Sequence, residues 1–109
     1  MAKEILGNVY SFPAAADHTA NQFKFVVIDS NARAALAGDG VAVDGVLIDK
    51  PNAIGLHGAV QVDGIVKVKA GGALATIGAN ISSDATGRAA VSASGEYIVG
   101  RLLSTAGAA

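Results

Sequence analysis

A short phrase occurs twice in this chain: Val41-Ala42-Val43-Asp44-Gly45-Val46, and again as Val60-Gln61-Val62-Asp63-Gly64-Ile65. Each copy alternates apolar with small or polar residues, breaks at Asp-Gly and resumes with β-branched residues, which is strand chemistry with a bend or reversal written into it. Around the second copy, Val60, Val62, Val66 and Val68 share one parity, and Gln61, Asp63, Lys67 and Lys69 share the other. One continuous strand places the valines on an inner face and the polar set on an outer one. A tight hairpin at Asp63-Gly64 is the competing reading, but it leaves arms of only four or five residues. A glycine bend, as small barrels use at corners, is favoured.

The rest of the chain reads as short strands separated by turns. Phe23–Ile28 is a strand ended by Asp29-Ser30-Asn31; Ala34–Ala37 is another, before Gly38-Asp39-Gly40; Val41–Asp49 follows, then Lys50-Pro51-Asn52. Leu74, Ile77 and Ile81 are spaced for a helical turn, but Gly78 interrupts them, so short strands and turns are expected there, with at most a short helix. Ser83–Gly87 is a turn, Ala89–Val91 and Tyr97–Leu103 are the last strands, and Ser104–Ala109 is a small-residue tail, expected to be loose. The pattern predicts a mainly β fold, a small barrel or sandwich.

Length supports one domain: 109 residues bury roughly 65% of their unfolded surface, enough for a core. That core is thin. Half the chain is hydrophobic, but much of it is alanine, there are three Phe, two Tyr and no Trp, and 14 glycines add entropy lost on folding. Assembly with copies of itself or with a partner would add the missing burial.

Residues 1–22 stand apart from this strand pattern. Ile5, Leu6, Val9, Tyr10 and Phe12 follow neither a period of two nor of 3.6, and Pro13 opens a run of alanines. They read either as an ordinary first strand and loop, or as an extended arm that docks on a partner and exposes Tyr10 and Phe12. The domain division expected is an arm over 1–22 and a single β-rich domain over 23–109.

Chemistry is hard to find. A net charge of −1 creates no basic field for nucleic acid, and the absence of cysteine removes disulfides, thiolate catalysis and thiolate metal sites. His18 and His57 belong to no ligand spacing and read as surface or loop residues; Asp39, Asp44 and Asp49 are spaced wrongly for an EF-hand. Gly71-Gly72 opens no P-loop, because no Lys-Ser/Thr follows. No catalytic, cofactor or metal residues are assigned, and no enzyme activity is expected. Lys67 and Lys69 form a solvated face, a guarded sheet edge or an electrostatic contact to a partner. Met1–Leu6 lacks the apolar core of a signal peptide and no stretch approaches membrane-spanning length, so a soluble protein without an export signal is expected.

Taken in order, several segments resemble a known family. Phe25-Val26-Val27-Ile28 runs into the turn Asp29-Ser30-Asn31-Ala32-Arg33; a Gly-Val-Leu segment follows at Gly45-Val46-Leu47. Lys69-Ala70-Gly71-Gly72 precedes Ser83-Asp84-Ala85-Thr86-Gly87-Arg88-Ala89, and Gly100-Arg101-Leu102-Leu103 ends the series. The earlier half is similar to the lambda-like head decoration proteins of tailed bacteriophages, the later half to small phage capsid-cement proteins. The likeness covers about residues 23–103, and its motifs are turns and strand patterns. It implies a β-tulip-like domain with an extended N-terminal arm. Such domains form homotrimers at three-fold and quasi-three-fold positions on the outer surface of the virion, made in the host cytoplasm, and clamp the major capsid protein against internal DNA pressure without touching nucleic acid or membrane. In that family the arm commonly meets the capsid; residues 1–22 carry no motif of the family, and in this chain the expected contacts are Tyr10, Phe12 and Pro13, with Ile5, Leu6 and Val9 as strand or pocket residues. A small glycan- or ligand-binding β-module, and another phage part such as a head-fibre or tail component, are the alternatives.

Overall fold

A computed structural model of the chain describes residues 5–6, 8–72, 74, 77–93 and 95–102. The fold is mainly β, with ten antiparallel strands and no helix among the described residues. The tail expected to be loose, 104–109, lies outside them.

The Asp63-Gly64 question is answered by register. β1 (Ile5–Leu6) and β2 (Val9–Pro13) run antiparallel to β6 (His57–Gln61) and β7 (Gly64–Ile65). The pairs Val9↔Gln61 and Ile5↔Ile65 belong to one uninterrupted register, and the Val62 amide donates to the Asn8 carbonyl at 2.9 Å between them. The chain therefore passes through Asp63-Gly64 without reversing. It bends there because the Asp63 carboxylate takes over the ladder, accepting the Asn8 backbone amide at 2.5 Å and its side-chain amide at 3.0 Å. The expected parity holds only in part. Gln61 is 2% exposed and turns its amide onto the Asp63 carbonyl at 2.8 Å, while Val62 is 39% exposed. The Gln61 side-chain Nε2 donates to the carbonyls of the bent backbone at Asp63 and Ile65, whereas Val62 lies outward.

β2 and β6 are the first strands of a five-stranded sheet ordered β2-β6-β5-β3-β4, where β3 is Phe25–Ile28, β4 is Ala34–Leu36 and β5 is Gly45–Leu47. A parallel bridge, Ala14↔Ala34, brings the chain just beyond β2 against β4, so the two ends of the sheet meet. Inside lie Val26, Ala34, Leu47 and Val60, all essentially inaccessible, with Phe12 and Ile28 packed against them. The strand expected over Val41–Asp49 is confined to Gly45–Leu47. It starts late, because the Asp44 carboxylate accepts the Ile28 amide at 2.7 Å where a backbone carbonyl would otherwise stand.

β8 (Asn80–Ser83), β9 (Ala89–Val91) and β10 (Gly100–Arg101) form a second sheet ordered β10-β8-β9. It repeats β5-β3-β4 fifty-five residues further on. Ile28↔Ala34 has its counterpart in Ser83↔Ala89, and Val26↔Gly45 in Ile81↔Gly100. Hydrogen bonds follow suit: Asp44 N to Val26 O (3.0 Å) and Val99 N to Ile81 O (2.7 Å); Phe23 N to Leu47 O (2.6 Å) and Gly78 N to Leu102 O (2.7 Å). Even the left-handed backbone positions recur, as Phe23 with Gly78, Ala32 with Gly87 and Gly40 with Gly95. A second parallel bridge, Ala70↔Ala89, stands where Ala14↔Ala34 stood, so residues 65–69 take the place of β2. Tyr97–Val99, expected to be strand, lies outside the β10 ladder.

Both β-hairpin turns are built by one aspartate. Asp29 Oδ1 accepts the amides of Asn31 and Arg33 at 2.9 and 3.0 Å; Asp84 Oδ1 accepts those of Thr86 and Arg88 at 2.8 and 2.9 Å. Asp84 Oδ2 also accepts Arg88 Nε at 3.2 Å. Burial pushes the Asp84 carboxyl up, but the Arg88 and Thr86 amides, the Thr86 hydroxyl and the Arg88 charge outweigh it and hold it below the ordinary carboxylate range. A carboxyl depressed in the folded state contributes stability that is complete above its unfolded value, about 3.9, and is lost as pH falls through the folded value. Asp84→Ala should therefore cost about 2 kcal/mol at pH 7, since hydrogen bonds to a charged group are worth roughly 1.5–3 kcal/mol. It should also flatten the loss of stability below about pH 4. Urea unfolding at pH 7 and pH 3 checks both, and an unchanged acid slope in the variant would remove Asp84 from this role.

Candidate docking edge

Among the described residues no group of three or more His, Asp or Glu side chains could hold a metal ion. The two histidines have structural surroundings. His18, expected as a surface or loop residue, lies in a loop but is buried there: Nε2 lies 2.8 Å from the Ala34 carbonyl and Nδ1 2.9 Å from the Asn21 side-chain amide. A neutral ring with its proton on Nε2 meets both partners, donating to the carbonyl and accepting from the amide. His57 is exposed on β6, 3.0 Å from the Ser11 hydroxyl.

The sequence-predicted contact residues fall along one strand line at the end of the five-stranded sheet. Ile5 and Leu6 form β1 opposite Ile65 and Gly64. Val9, Tyr10, Phe12 and Pro13 lie in β2, which among the described residues has β6 as its one neighbour in sheet order. The Asn8 carbonyl and the Ala14 amide face the β6 line, to Val62 and Leu56. By antiparallel alternation the backbone groups of Val9 and Ser11 then face away from β6. Pro13 has no amide to offer and closes this edge.

Tyr10 and Phe12 stand two residues apart and share one face of β2, yet Phe12 packs against the buried cluster while Tyr10 is 54% exposed. Phe12 is thus committed to the core, while Tyr10 and the partly exposed Val9 are available at the surface. Two large apolar residues that sequence reasoning passed over extend this surface. Ile54 and Leu56 are exposed in the loop that grips the end of β2, where Ala14 N meets Leu56 O at 2.8 Å and Gly55 N meets Ala14 O at 2.9 Å. The signal was Leu56 preceding a strand after the Pro51-Asn52 break, too common to single out.

A second exposed apolar group is Val41, Val91, Tyr97 and Ile98. Tyr97 is tied down by its backbone, its amide to the Gly40 carbonyl at 3.1 Å and its carbonyl to the Ser82 hydroxyl at 2.6 Å, so its ring is free to face outward. Beside it the Asp39 carboxyl is pushed up by a hydrogen bond and like charge shared with Glu96. The tethers depend on contacts distant in sequence, which strand-like Tyr97-Ile98-Val99 does not advertise. Compared with known proteins, the chain matches no family model, no curated protein and no solved structure.

Proposed function

We propose that this chain is a decoration, or cement, protein of a tailed-phage head, binding the outer surface of the assembled capsid as trimers and stabilising the shell. The observation that carries the reading is the strand edge at β2: backbone groups of Val9 and Ser11 turned outward, with Tyr10 exposed beside them. Such an edge can add a strand of a shell subunit, main-chain hydrogen bonds supplying affinity and side chains specificity. The turn motifs shared with decoration proteins support the same assignment, and a thin, alanine-rich core gains from packing within a trimer. Repeated weak contacts across one lattice multiply through effective concentration.

Point substitution tests this better than truncation, because Ala14 and His18 behind the edge are buried. Tyr10→Ala alters an exposed side chain and should leave folding within about 0.5 kcal/mol of wild type. A tyrosine anchor at an interface is worth about 2 kcal/mol or more, so binding to expanded heads should fall by at least ~20-fold. Co-sedimentation with heads, with circular dichroism as the folding control, reads both. Undiminished binding by both Tyr10→Ala and Val9→Asp would rule out this edge as the contact.

A further inference from the structure

The two halves repeat in backbone but differ in what packs on the corner of each hairpin. In the first half the Asp84 turn packs on the corner of β3 and β4. The Gly87 carbonyl accepts the Phe25 amide at 2.7 Å, and a Cβ on Gly87 would stand 2.8 Å from Leu36 Cδ1. Gly87 and Phe25 are buried in this contact and Leu36 is half-buried.

In the second half Val91 holds the place of Leu36, opposite Ile81 as Leu36 is opposite Val26. Asn80 holds the place of Phe25: its carbonyl accepts the Ser92 amide at 2.9 Å, as the Phe25 carbonyl accepts that of Ala37 at 3.0 Å. In antiparallel strands the N–H and C=O of one residue point to the same side, so the Asn80 amide faces this corner. Yet Asn80 is exposed, and Val91 is 57% exposed. The counterpart of the Asp84 turn is the Asp29 turn, closed by the same hydrogen bonds, and Ser30, Asn31 and Ala32 at its tip are exposed. Ala32 takes the left-handed backbone of Gly87, with φ of 58° against 76°. It carries the methyl group that Gly87 lacks, and Val91 is one carbon shorter than Leu36, so the volume of the contact is conserved. Each chain thus presents an exposed corner and an exposed turn of the kind that covers one.

We infer that the Asp29 turn of one copy packs over Val91 and Asn80 of a second copy, with Arg33 meeting Asp39 and Glu96. Charge supports this choice of partner. Arg88 of the covering turn is paired with its own Asp84, whereas its counterpart Arg33 has no carboxylate partner among the described residues. Ser82 Oγ ties Ser92 and Tyr97 together at 2.7 and 2.6 Å, so Val91 and Tyr97 border one surface, with Glu96 and Asp39 beside it. An arriving guanidinium would relieve the like charge that those two carboxyls share. The contact joins two different surfaces, so its repetition closes a ring when the rotation fits. This deepens the decoration reading above and rests on it for the number of copies, three.

The chain has no cysteine, so an engineered pair reports the contact cleanly. The full-length protein carrying both Ala32→Cys and Val91→Cys, oxidised at millimolar concentration, should run as a covalent trimer on a non-reducing gel. Neither single variant should cross-link, because the contact pairs unlike surfaces. In sedimentation of the cysteine-free protein, Arg33→Glu should weaken self-association at least ~10-fold at low salt, and adding Asp39→Arg should restore most of it. Circular dichroism controls for folding. Absence of the covalent trimer, or single variants that cross-link as well as the pair, would overturn the inference. So would self-association indifferent to Arg33→Glu. If the trimer forms but heads are not bound, the decoration reading fails and the contact stands. If heads are bound by a protein whose cysteine pair gives no trimer, the contact fails and the decoration reading stands.

Discussion

Leu47→Ala is expected to cost about 3–4 kcal/mol, while the same change at Leu102 costs less than half as much. Truncating a buried leucine typically costs 2–5 kcal/mol, set by the cavity it leaves. Leu47 is at the upper part of that range because it is fully buried in one cluster with Val26, Ala34 and Val60, with Phe12 and Ile28 packed against it. Leu102 occupies the matching position but is only half-buried, so water already reaches it and less transfer free energy is lost. A whole domain of this size is stable by only about 5–15 kcal/mol, and each kcal/mol moves the melting temperature about 4–8 °C. Leu47→Ala should therefore melt more than ~12 °C lower. Chemical denaturation of both variants gives the comparison directly. Equal costs would mean that the second half is as fully covered as the first.

Gly45→Ala is the second large effect, and it adds a single methyl group. The new carbon would sit 2.6 Å from Val60 Cγ1 and 2.7 Å from the Gln61 carbonyl oxygen. A valine can rotate, but a carbonyl that belongs to the β5–β6 ladder cannot retreat without breaking Val46↔Gln61 and Leu47↔Val60. Overpacking of this kind costs about 1–3 kcal/mol, and the backbone contact places Gly45→Ala at the top of that range. Val60→Ala in the same chain removes one of the two clashes, so the double variant should lose less than the sum of the single ones. Urea titration of the three variants tests this. Additive losses would show that the clash is not what Gly45 avoids. The same substitution at Gly100 meets no described atom and should be close to neutral.

Sequence legibility followed locality. The Asp29 and Asp84 turns could be read because their hydrogen bonds close within four residues. The bent strand through Asp63-Gly64 could be read because parity survives a bend. Gln61 could not, since its burial depends on the carbonyls of Asp63 and Ile65 curling back toward it. The burial of His18 in its loop was hidden for a similar reason: its partner Ala34 is 16 residues away, in a strand brought over by the Ala14 bridge.

The repeat that caught the eye was also the wrong one. The two Val-x-Val-Asp-Gly phrases hold different places, Gly45 under a crossing strand and Gly64 at a bend. The true repeat is Asp29-Ser30-Asn31-Ala32-Arg33-Ala34-Ala35 with Asp84-Ala85-Thr86-Gly87-Arg88-Ala89-Ala90, visible in the sequence once the matching registers are known. It was obscured because its apolar partners differ in kind, Ile28 against Ser83 and Phe23 against Gly78. Of the docking edge, Tyr10 was legible as one of few aromatics in an irregular segment. Phe12 looked equivalent and lies on the same face; it is the packing against Val26, Leu47 and Val60, distant in sequence, that commits it to the core.

The central claim is that this protein coats a phage head through the β2 edge. Electron cryo-microscopy of expanded tailed-phage heads, mixed with wild-type or Tyr10→Ala protein, tests it most directly. The account predicts trimeric density at three-fold and quasi-three-fold positions, with residues 9–13 against a shell subunit, and loss of that density with Tyr10→Ala. Bare heads at saturating wild-type protein, or density unchanged by the substitution, would contradict it.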